Sequence, residues 1–348
     1  MPLSLVLVEP ADLPGPSGGL IFNFSLVRAL REAGHAVEVR RVPGAWPRPG
    51  AGDLLTLGRA LRQDVGGRPV VVDGIVASAA PAQVRAAGEA GSRVVVLVHL
   101  PLPAETGLPA EERDRLAAGE HEALAAAARV LCTSAWAARD LAERYGIRKP
   151  GVVEPGVDDA APARGSDPPR ILLLGSLTPR KNPLAVLRAL GRLADLPWTA
   201  SLTGPFDESS PYVRRVLDAA RALGPGRAEV TGPLTGRPLD EAWDRADLLV
   251  LASTAETYGM VVAEAHARGI PTLVGAGTAA EDVLRGSGPT PGAAVDPADE
   301  AAIALALRRW LVDSRLRLAW REAALQRRDN LRPWKQTAET LVTHLNRS

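Results

Sequence analysis

The chain has 348 residues, of which 46% are hydrophobic, and 41 Lys and Arg residues against 40 Asp and Glu give a formal net charge of +1. The length predicts about two domains of ordinary size, and the apolar share excludes wholesale disorder. A charge so close to zero, with both signs mixed along the chain, predicts no nucleic-acid partner. The single cysteine, Cys132, excludes an internal disulfide and a cysteine-based metal site.

The first residues and the hydropathy of the chain bear on its compartment. The opening MPLSLVLVEP lacks the basic start of a signal peptide, and its apolar run has the length of a strand. No stretch reaches the roughly 18 apolar residues of a membrane-spanning helix. The sequence therefore predicts a soluble, cytoplasmic protein without a transmembrane segment. Peripheral membrane association stays open, although no strongly basic amphipathic helix argues for it.

Short apolar runs alternate with longer Ala-, Leu- and Arg-rich segments, a pattern typical of parallel α/β structure. Because the runs are continuous rather than alternating, we expect sheets covered by helices on both faces. The predicted architecture is α/β, with two doubly wound, Rossmann-like domains facing each other across a cleft that is the default ligand site. Ten runs predict buried strands: Leu3–Val8, Ala36–Val39, Val70–Val72, Arg93–Val98, Val130–Cys132, Ile171–Leu174, Trp198–Leu202, Ala228–Val230, Leu248–Leu251 and Pro271–Val274.

The strongest candidate for a domain boundary is Asp158–Arg170, which is rich in Asp, Ala and Pro and lacks apolar periodicity. It separates residues 1–157 from residues 170–332, and each part contains its own series of strands.

Helix-capping residues support the predicted helices. Ser134 and Gly146 predict a helix over Ala135–Tyr145. Asn182 and Ser210 each precede a proline and are predicted as N-caps of the two following helices.

Three segments connect a predicted strand to a predicted helix, where backbone N–H groups and the helix dipole favour anions. The first is Pro14–Phe24, PGPSGGLIFNF, in which Gly18 and Gly19 would let the backbone approach a ligand. A flexible turn explains these glycines equally well. The segment matches neither G-x-G-x-x-G nor G-x-x-x-x-G-K-[ST], so classical dinucleotide binding and P-loop hydrolysis lose support.

The second segment is Leu172–Leu187, with Arg180 and Lys181 just before a helix start. Cations are unfavourable there unless an anion or solvent compensates them. A phosphate or diphosphate would make the two charges complementary to a ligand. The alternative is two solvated surface charges.

The third segment is Ser253–Val274, in which Glu256 ends a buried strand and Glu264 follows eight residues later within a helix. If most of that span is helical, the two carboxylates lie about 12 Å apart. That distance suits two hydroxyl-bearing parts of one elongated ligand, with an anion at the N–H groups of Thr257–Val261 between them. A dipole partner and a solvated helix residue would give the same spacing.

Taken together, several motifs of the chain resemble those of a known family. The Gly-Gly loop, His99 in VHLPLP, PGVD at Pro155–Asp158, GSLTPRKN and the E-x7-E of ETYGMVVAE occur in the order seen in retaining glycosyltransferases. Over nearly its whole length the chain is similar to glycosyltransferase family 4, whose members have the GT-B fold. The resemblance implies an acceptor-side domain of residues 1–157, completed by a crossover helix at about 333–348, and a donor-binding domain of residues 170–332.

The resemblance also implies a role for each matching residue. Glu256 would contact hydroxyls of the transferred sugar, and His99 would help to position it; these are the two predicted catalytic residues. Glu264 would bind the ribose. Ser176 stands where the family often has Arg, and Arg180 is the candidate replacement. The remaining donor-binding predictions, mostly for the diphosphate, are Gly18, Gly19, Arg180, Lys181, Tyr258, Gly259, Met260 and Val261.

The implied reaction is transfer of a sugar from a nucleotide-diphosphate sugar, a substrate rather than a cofactor. Cations and a helix start can stabilise the departing diphosphate, and no Asp-x-Asp motif follows a suitable strand, so we predict a metal-independent transferase. Front-face attack is the family's usual explanation of retention. UDP- or GDP-linked hexoses are common donors in the family; the donor, the acceptor (small molecule, saccharide or lipid) and the oligomeric state are left open.

Two other functions share this architecture. A GT-B-type sugar-nucleotide epimerase would need carboxylates to remove and return a proton, whereas E-x7-E with TPRKN favours the transferase. A non-catalytic sugar-nucleotide-binding subunit is the third interpretation, which Ser176 slightly supports.

The other titratable candidates have simpler explanations. His35 is expected in the turn before the second strand, His121 and His344 on solvated helix faces, and His266 on the surface. Cys132 is expected to be a small core residue.

Overall fold

The computed structural model describes residues 2–13, 17–63, 65–105 and 108–346. Its internal contacts divide the chain into two compact units: unit 1 comprises Met1–Gly156 and Arg332–Ser348, and unit 2 comprises Val157–Leu331. Each unit contains one six-stranded sheet in which all neighbouring strands are parallel. The α/β fold of two doubly wound sheets is therefore confirmed.

All ten predicted strands are present, and two short strands that were not predicted complete the sheets. Unit 1 has the order β2-β1-β3-β4-β5-β6 and unit 2 the order β12-β11-β10-β7-β8-β9. The strands are β1 Ser4–Pro10, β2 Ala36–Val42, β3 Val70–Asp73, β4 Val94–Val98, β5 Arg129–Cys132, β6 Gly151–Val152, β7 Arg170–Leu174, β8 Thr199–Thr203, β9 Ala228–Gly232, β10 Leu248–Leu251, β11 Thr272–Gly275 and β12 Gly292–Val295.

Helices connect these strands. They are α1 Gly18–Glu32, α2 Ala51–Ala60, α3 Gly74–Ser78, α4 Pro81–Glu89, α5 Ala110–Ala126, α6 Ala135–Tyr145, α7 Pro183–Gly191, α8 Pro211–Ala222, α9 Arg237–Asp244, α10 Met260–Ala267, α11 Ala279–Arg285, α12 Glu300–Val312, α13 Ser314–Arg327 and α14 Trp334–Asn346. Single 3-10 turns cover Leu102–Ala104 and Arg328–Asn330. No helix in the described part of the chain is long and apolar enough to cross a membrane.

The core of unit 2 lies on both faces of its sheet. Alternate residues of β7 point to opposite sides: Ile171 and Leu173 belong to one apolar cluster, and Leu172 belongs to another. This is the burial expected of a parallel strand covered on both faces. It explains why the strand sequence is continuously apolar.

The last helix belongs to unit 1. Trp334, at the start of α14, packs edge-on against Phe22 of α1 with ring centroids 5.5 Å apart. Leu341 and Leu345 of α14 are also buried. Residues 347–348 of the predicted crossover helix, and Pro14–Pro16 of the glycine-rich segment, lie outside the described residues.

The segment Asp158–Arg170 is part of unit 2 rather than a linker. Ala163 is buried, and its carbonyl oxygen accepts a hydrogen bond of 2.5 Å from Arg321 of α13. Arg328 bonds the carbonyl of Ala160 in the same way at 2.8 Å. The segment has a composition typical of a linker, but its backbone carbonyls are bonded by arginines about 160 residues away in the chain.

The three predicted N-cap positions are confirmed, but two of the residues do not cap their helices through the side chain. Ser134 does cap α6, where its Oγ accepts a hydrogen bond of 3.0 Å from the Ala137 amide. Asn182 precedes α7 in a left-handed conformation, and its side chain donates to the carbonyl of Pro297 instead of capping. Ser210 makes no capping hydrogen bond to α8.

Candidate active site

The candidate site of unit 2 lies where the direction of strand order reverses. β7 and β10 are adjacent in the sheet, but the chain leaves β7 towards β8 and β9 before it returns through β10 on the other side. The carboxyl ends of two such strands form the usual ligand crevice of a doubly wound sheet. Lys181 follows β7 and Glu256 follows β10, so both predicted residues lie at this edge.

The structure brings Lys181 and Glu256 together, although 75 residues separate them in the chain. The Lys181 ammonium Nζ is 2.5 Å from Glu256 Oε2, and a guanidinium nitrogen of Arg180 is 3.9 Å from the same oxygen. Arg180 also donates a hydrogen bond of 3.1 Å to the carbonyl of Ala255. The side chains of Lys181 and Arg180 are only 19% and 12% exposed, which excludes the alternative of two solvated surface charges.

The backbones of the two loops are joined as well. The amide of Thr254 donates a hydrogen bond of 2.8 Å to the carbonyl of Arg180. The loops after β7 and β10 are therefore bonded to each other through both main chain and side chains.

Glu256 is ionised in spite of its burial. Burial by itself would raise the pKa of the Glu256 carboxyl, but the charges of Lys181 and Arg180, with hydrogen bonds from Lys181 and Ser253, hold the pKa below its usual value. Two cations around one carboxylate leave the cluster with a net charge of about +1. That surplus suits a ligand with more than one negative charge.

The start of α10 completes this edge and requires a glycine. Gly259 has a φ of +86°, and a Cβ there would lie 2.9 Å from the Cβ of Ala280. No other residue type fits both the conformation and the space. The helix that follows begins at Met260, and its first turn directs N–H groups along the axis, where an anion is stabilised.

Glu264 lies one turn into α10. Burial raises the pKa of its carboxyl, the Asp158 charge raises it further, and Arg268 lowers it. Since α10 begins only at Met260, about half of the span from Glu256 is not helical. The expected separation of about 12 Å assumed a mostly helical span, and that assumption is wrong; the separation itself stays a prediction.

In unit 1 the structure places His99 directly after β4 and against the start of α1. Its ring packs edge-on against Phe22, with centroids 5.0 Å apart. A Cβ on Gly19 would lie 2.9 Å from the His99 ring, whereas a Cβ on Gly18 would meet nothing within 4 Å. The absence of a side chain at Gly19 therefore makes room for the histidine ring. This role of the glycine was not predicted from the sequence.

Two buried polar residues beside His99 were missed. Asn23 of α1 and Asp73, the last residue of β3, bond each other: Nδ2 of Asn23 donates to Oδ2 of Asp73 at 2.9 Å. Oδ1 of Asn23 lies 3.0 Å from Nε2 of His99. An Asp that ends an all-valine strand, VVVD, was the available signal, because the carboxyl ends of strands line ligand sites.

The loop after His99 is held by another unpredicted residue, Glu120 of α5. Its carboxylate accepts hydrogen bonds from the Tyr145 hydroxyl at 2.7 Å and the Leu102 amide at 3.2 Å. Burial raises the pKa of Glu120 to about 7, against the lowering effect of its hydrogen bonds. This glutamate ties the segment that follows His99 to the body of unit 1.

The remaining histidines and Cys132 differ partly from expectation. His35 accepts a hydrogen bond from the Leu3 amide before β2, and His121 is exposed and stacks on Tyr145, as expected. His266 is fully buried rather than on the surface, because α10 is covered by α13 and β11. His344 is half-buried, with Nε2 3.2 Å from the carbonyl of Val152.

Two of these groups have strongly shifted pKa values. Burial, with a contribution from the Arg327 charge, lowers the pKa of His266 to about 3. Burial raises the pKa of the Cys132 thiol to about 12, as expected of a core cysteine. Within the described ranges, no group of three or more His, Cys, Asp or Glu side chains could hold a metal ion.

Comparison with known proteins assigns the family. The model of "Glycosyltransferase Family 4" matches residues 17–161, and the model of "Glycosyl transferases group 1" matches residues 157–327. The chain belongs to glycosyltransferase family 4. Together the two matches cover residues 17–327 without a gap, so the assignment does not depend on one motif.

Two curated relatives of this chain carry nearly the same name. A D-inositol 3-phosphate glycosyltransferase of Salinispora tropica is 29% identical over 256 residues, which cover 64% of this chain and 52% of the relative. D-inositol 3-phosphate glycosyltransferase 1 of Catenulispora acidiphila is 30% identical over 247 residues, which cover 65% of this chain and 58% of the relative. The chain thus spans about half the length of the curated relatives it matches.

Solved structures confirm the fold of the chain as GT-B. Sucrose-phosphate synthase from Thermosynechococcus elongatus superposes with a TM-score of 0.81 at 18% identity, over 98% of each chain. Anabaena HepE in complex with UDP and glucose superposes with a TM-score of 0.76 at 16% identity, over 99% of each chain.

Proposed function

We propose that this chain is a retaining glycosyltransferase that moves a sugar from a nucleotide-diphosphate sugar to an acceptor hydroxyl without a metal ion. Family membership supports the transferase chemistry. The observation that carries the finer proposal is the Lys181–Arg180–Glu256 cluster at the edge formed by β7 and β10.

The cluster suits a departing diphosphate. Negative charge grows on the leaving group as the glycosidic bond breaks, and fixed cations in a partly dry site stabilise it most effectively. Lys181 and Arg180 are already oriented by Glu256 and by the Ala255 carbonyl, so little reorganisation is needed. The N–H groups of Tyr258–Val261, at the start of α10, would add a second set of donors. These cations would do the work of a metal.

The two glutamates would recognise different parts of the donor. Glu256 would bind hydroxyls of the transferred sugar, and Glu264 the hydroxyls of the ribose. A carboxylate accepts hydrogen bonds from vicinal hydroxyls, which is the chemistry both roles require.

The environment of Glu256 supports front-face attack rather than a covalent intermediate. Its Oε2 is bonded to Lys181, and its low pKa makes the carboxylate a weak nucleophile. In the proposed route the leaving phosphate oxygen accepts the proton of the acceptor hydroxyl as the new glycosidic bond forms on the same face.

We assign the donor to unit 2 and the acceptor to unit 1, and His99 of unit 1 remains a proposed catalytic residue. The curated relatives are D-inositol 3-phosphate glycosyltransferases by name, so D-inositol 3-phosphate is the first acceptor to test. UDP- and GDP-linked hexoses are the first donors.

Turnover assays test the proposal. The chain is incubated with each nucleotide sugar and D-inositol 3-phosphate in the presence of a chelator, and the products are followed by proton NMR. Released nucleoside diphosphate together with a glycoside of the donor's anomeric configuration is the expected result. An epimerised nucleotide sugar would instead identify an epimerase, and donor binding without any reaction would identify a binding subunit.

The variant Glu256→Ala tests the division of labour within the cluster. We expect transfer to fall by at least about 100-fold, because the sugar loses its anchor. Nucleoside diphosphate binding should be kept or strengthened, since Lys181 then has no carboxylate competing for it. Equal loss of transfer and of nucleotide binding would contradict the sugar-binding role.

A further inference from the structure

Unit 1 contains a row of hydrogen-bonded, buried polar side chains that ends at His99. Asp73 and Asn23 are 4% and 0% exposed, and they lie 50 residues apart in the sequence. Asp73 is fixed from its other side, because its Oδ1 accepts a hydrogen bond of 3.0 Å from the Ile75 amide at the start of α3. Its Oδ2 bonds Asn23 at 2.9 Å and lies 3.5 Å from Nε2 of His99.

The carboxylate determines which way the Asn23 amide points. An ionised carboxylate only accepts hydrogen bonds, so the NH2 group of Asn23 must face Asp73. The reversed amide would place two acceptor oxygens 2.9 Å apart in a buried site, a contact without a hydrogen bond. Asn23 therefore presents its carbonyl oxygen to the histidine.

The orientation of Asn23 in turn determines the protonation of the ring. Oδ1 of Asn23 is an acceptor 3.0 Å from Nε2 of His99, so Nε2 must carry a hydrogen. The nearby Asp73 carboxylate favours the same hydrogen position. A neutral His99 then has its lone pair on Nδ1.

Packing holds the ring in that plane. Gly19 lies against one side of the ring, where a Cβ would come within 2.9 Å of it, and Phe22 packs edge-on with ring centroids 5.0 Å apart. The hydrogen bonds thus act on a ring whose position is already restricted.

We propose that Asn23 and Asp73 are positioning residues for His99, which hold its neutral imidazole as the Nε2–H tautomer with Nδ1 as the hydrogen-bond acceptor. The functional consequence rests on the catalytic role proposed for His99. In this tautomer the neutral ring can accept a hydrogen bond at Nδ1 but cannot donate one from it, so a sugar hydroxyl that meets this atom must be the donor.

Nitrogen NMR on the full chain tests the tautomer directly. Two-bond proton–nitrogen correlations of the histidine-labelled protein distinguish a protonated ring nitrogen from an unprotonated one, and His99→Gln assigns the His99 signals among the five histidines. At a pH where the ring is neutral we expect a protonated Nε2 and an unprotonated Nδ1. A protonated Nδ1, or an even mixture of tautomers, would overturn the proposal.

Asp73→Asn tests the origin of the preference. Asparagine retains the volume, and when its Oδ1 keeps the hydrogen bond from the Ile75 amide, its NH2 group faces Asn23 in place of Oδ2. The Asn23 amide then turns its oxygen to position 73 and its NH2 group to His99, so we expect the neutral ring to shift towards the Nδ1–H tautomer. The matched control is Asp299→Asn, the same change at the N-cap of α12 in unit 2, which should leave the His99 signals unaltered. A folded Asp73→Asn protein with the wild-type tautomer would refute the role of Asp73.

Kinetics separate positioning from stability. If His99 acts as proposed, Asp73→Asn should lower kcat on the order of 100-fold while the donor KM changes little, because a small misplacement of a catalytic group has that effect. An unchanged kcat would contradict a positioning role in catalysis. If the wild-type chain transfers no sugar at all, the proposed function fails, whereas the NMR result still decides the tautomer.

Discussion

Removing the charge of Lys181 probes the cluster on which the proposed function depends. In Lys181→Met a side chain of similar length replaces the ammonium group, and the buried Glu256 loses its 2.5 Å partner. Only Arg180, 3.9 Å from the same carboxylate oxygen, remains to compensate the charge.

The expected cost follows from burial. Removing one partner of a buried ion pair costs about 3–5 kcal/mol, because the remaining charge is left without compensation. Since Arg180 offsets part of that cost, we expect about 2–3 kcal/mol of lost stability. In Lys181→Met/Glu256→Gln the buried carboxylate charge is removed as well, and Arg180 keeps its hydrogen bond to the Ala255 carbonyl, so this double variant should be more stable than Lys181→Met by at least about 1 kcal/mol.

Urea unfolding of the wild type, both single variants and the double variant measures these differences. Lys335→Met, on the exposed face of α14, controls for the loss of a lysine and should be neutral. A Lys181→Met protein within about 0.5 kcal/mol of the wild type would refute the reasoning, because that is the behaviour of a solvent-screened surface pair.

Three further changes test particular residues. Gly19→Ala should reduce transfer on the order of 100-fold, because its methyl group displaces the histidine ring 2.9 Å away, whereas Gly52→Ala, in open space on α2 of the same unit, should leave the transfer rate unchanged. Gly259→Ala should lower the free energy of unfolding by about 2–4 kcal/mol, because backbone strain adds to the overlap of its methyl group with Ala280. The control Gly224→Ala, which has positive φ but no close neighbour, should lose about 1 kcal/mol in the same urea unfolding experiment, and equal losses would exclude the overlap. The pKa of His266 in the folded protein is lowered to about 3, so between pH 6.5 and 3 the unfolded chain binds one proton more than the folded chain does. As the pH falls through this range, the free energy of unfolding of the wild type should therefore decrease by about 1.4 kcal/mol per pH unit more than that of His266→Gln. Parallel stability profiles of those two proteins would exclude the contribution of His266.

The strands and the main motifs were predictable because they depend on local sequence. Continuous apolar runs indicate strands buried on both faces, and the capping pair Ser134 and Gly146 fixes both ends of α6. β6 and β12 were missed because a strand of two residues and one rich in Gly and Ala have no such run.

The contacts that build the two sites were not predictable from local patterns. Lys181 meets Glu256 only because β7 and β10 are neighbours in the sheet, an order that no local pattern specifies. Asn23 and Asp73 meet for the same reason, across the pairing of β1 with β3. Helical spacing correctly placed His266 on another face of α10 from Glu264, but that face is covered rather than exposed.

Titration of the protein with nucleoside diphosphates tests the central claim most directly, namely that the β7–β10 edge of unit 2 holds the diphosphate of the donor. UDP and GDP are titrated into the wild type, Lys181→Met and the control Lys335→Met by calorimetry. We predict that the wild type and the control bind one of the two nucleotides equally well. Lys181→Met should bind that nucleotide at least about 10-fold more weakly, because a charge-assisted contact to the diphosphate is lost. Equal affinity of all three proteins for that nucleotide would contradict this claim.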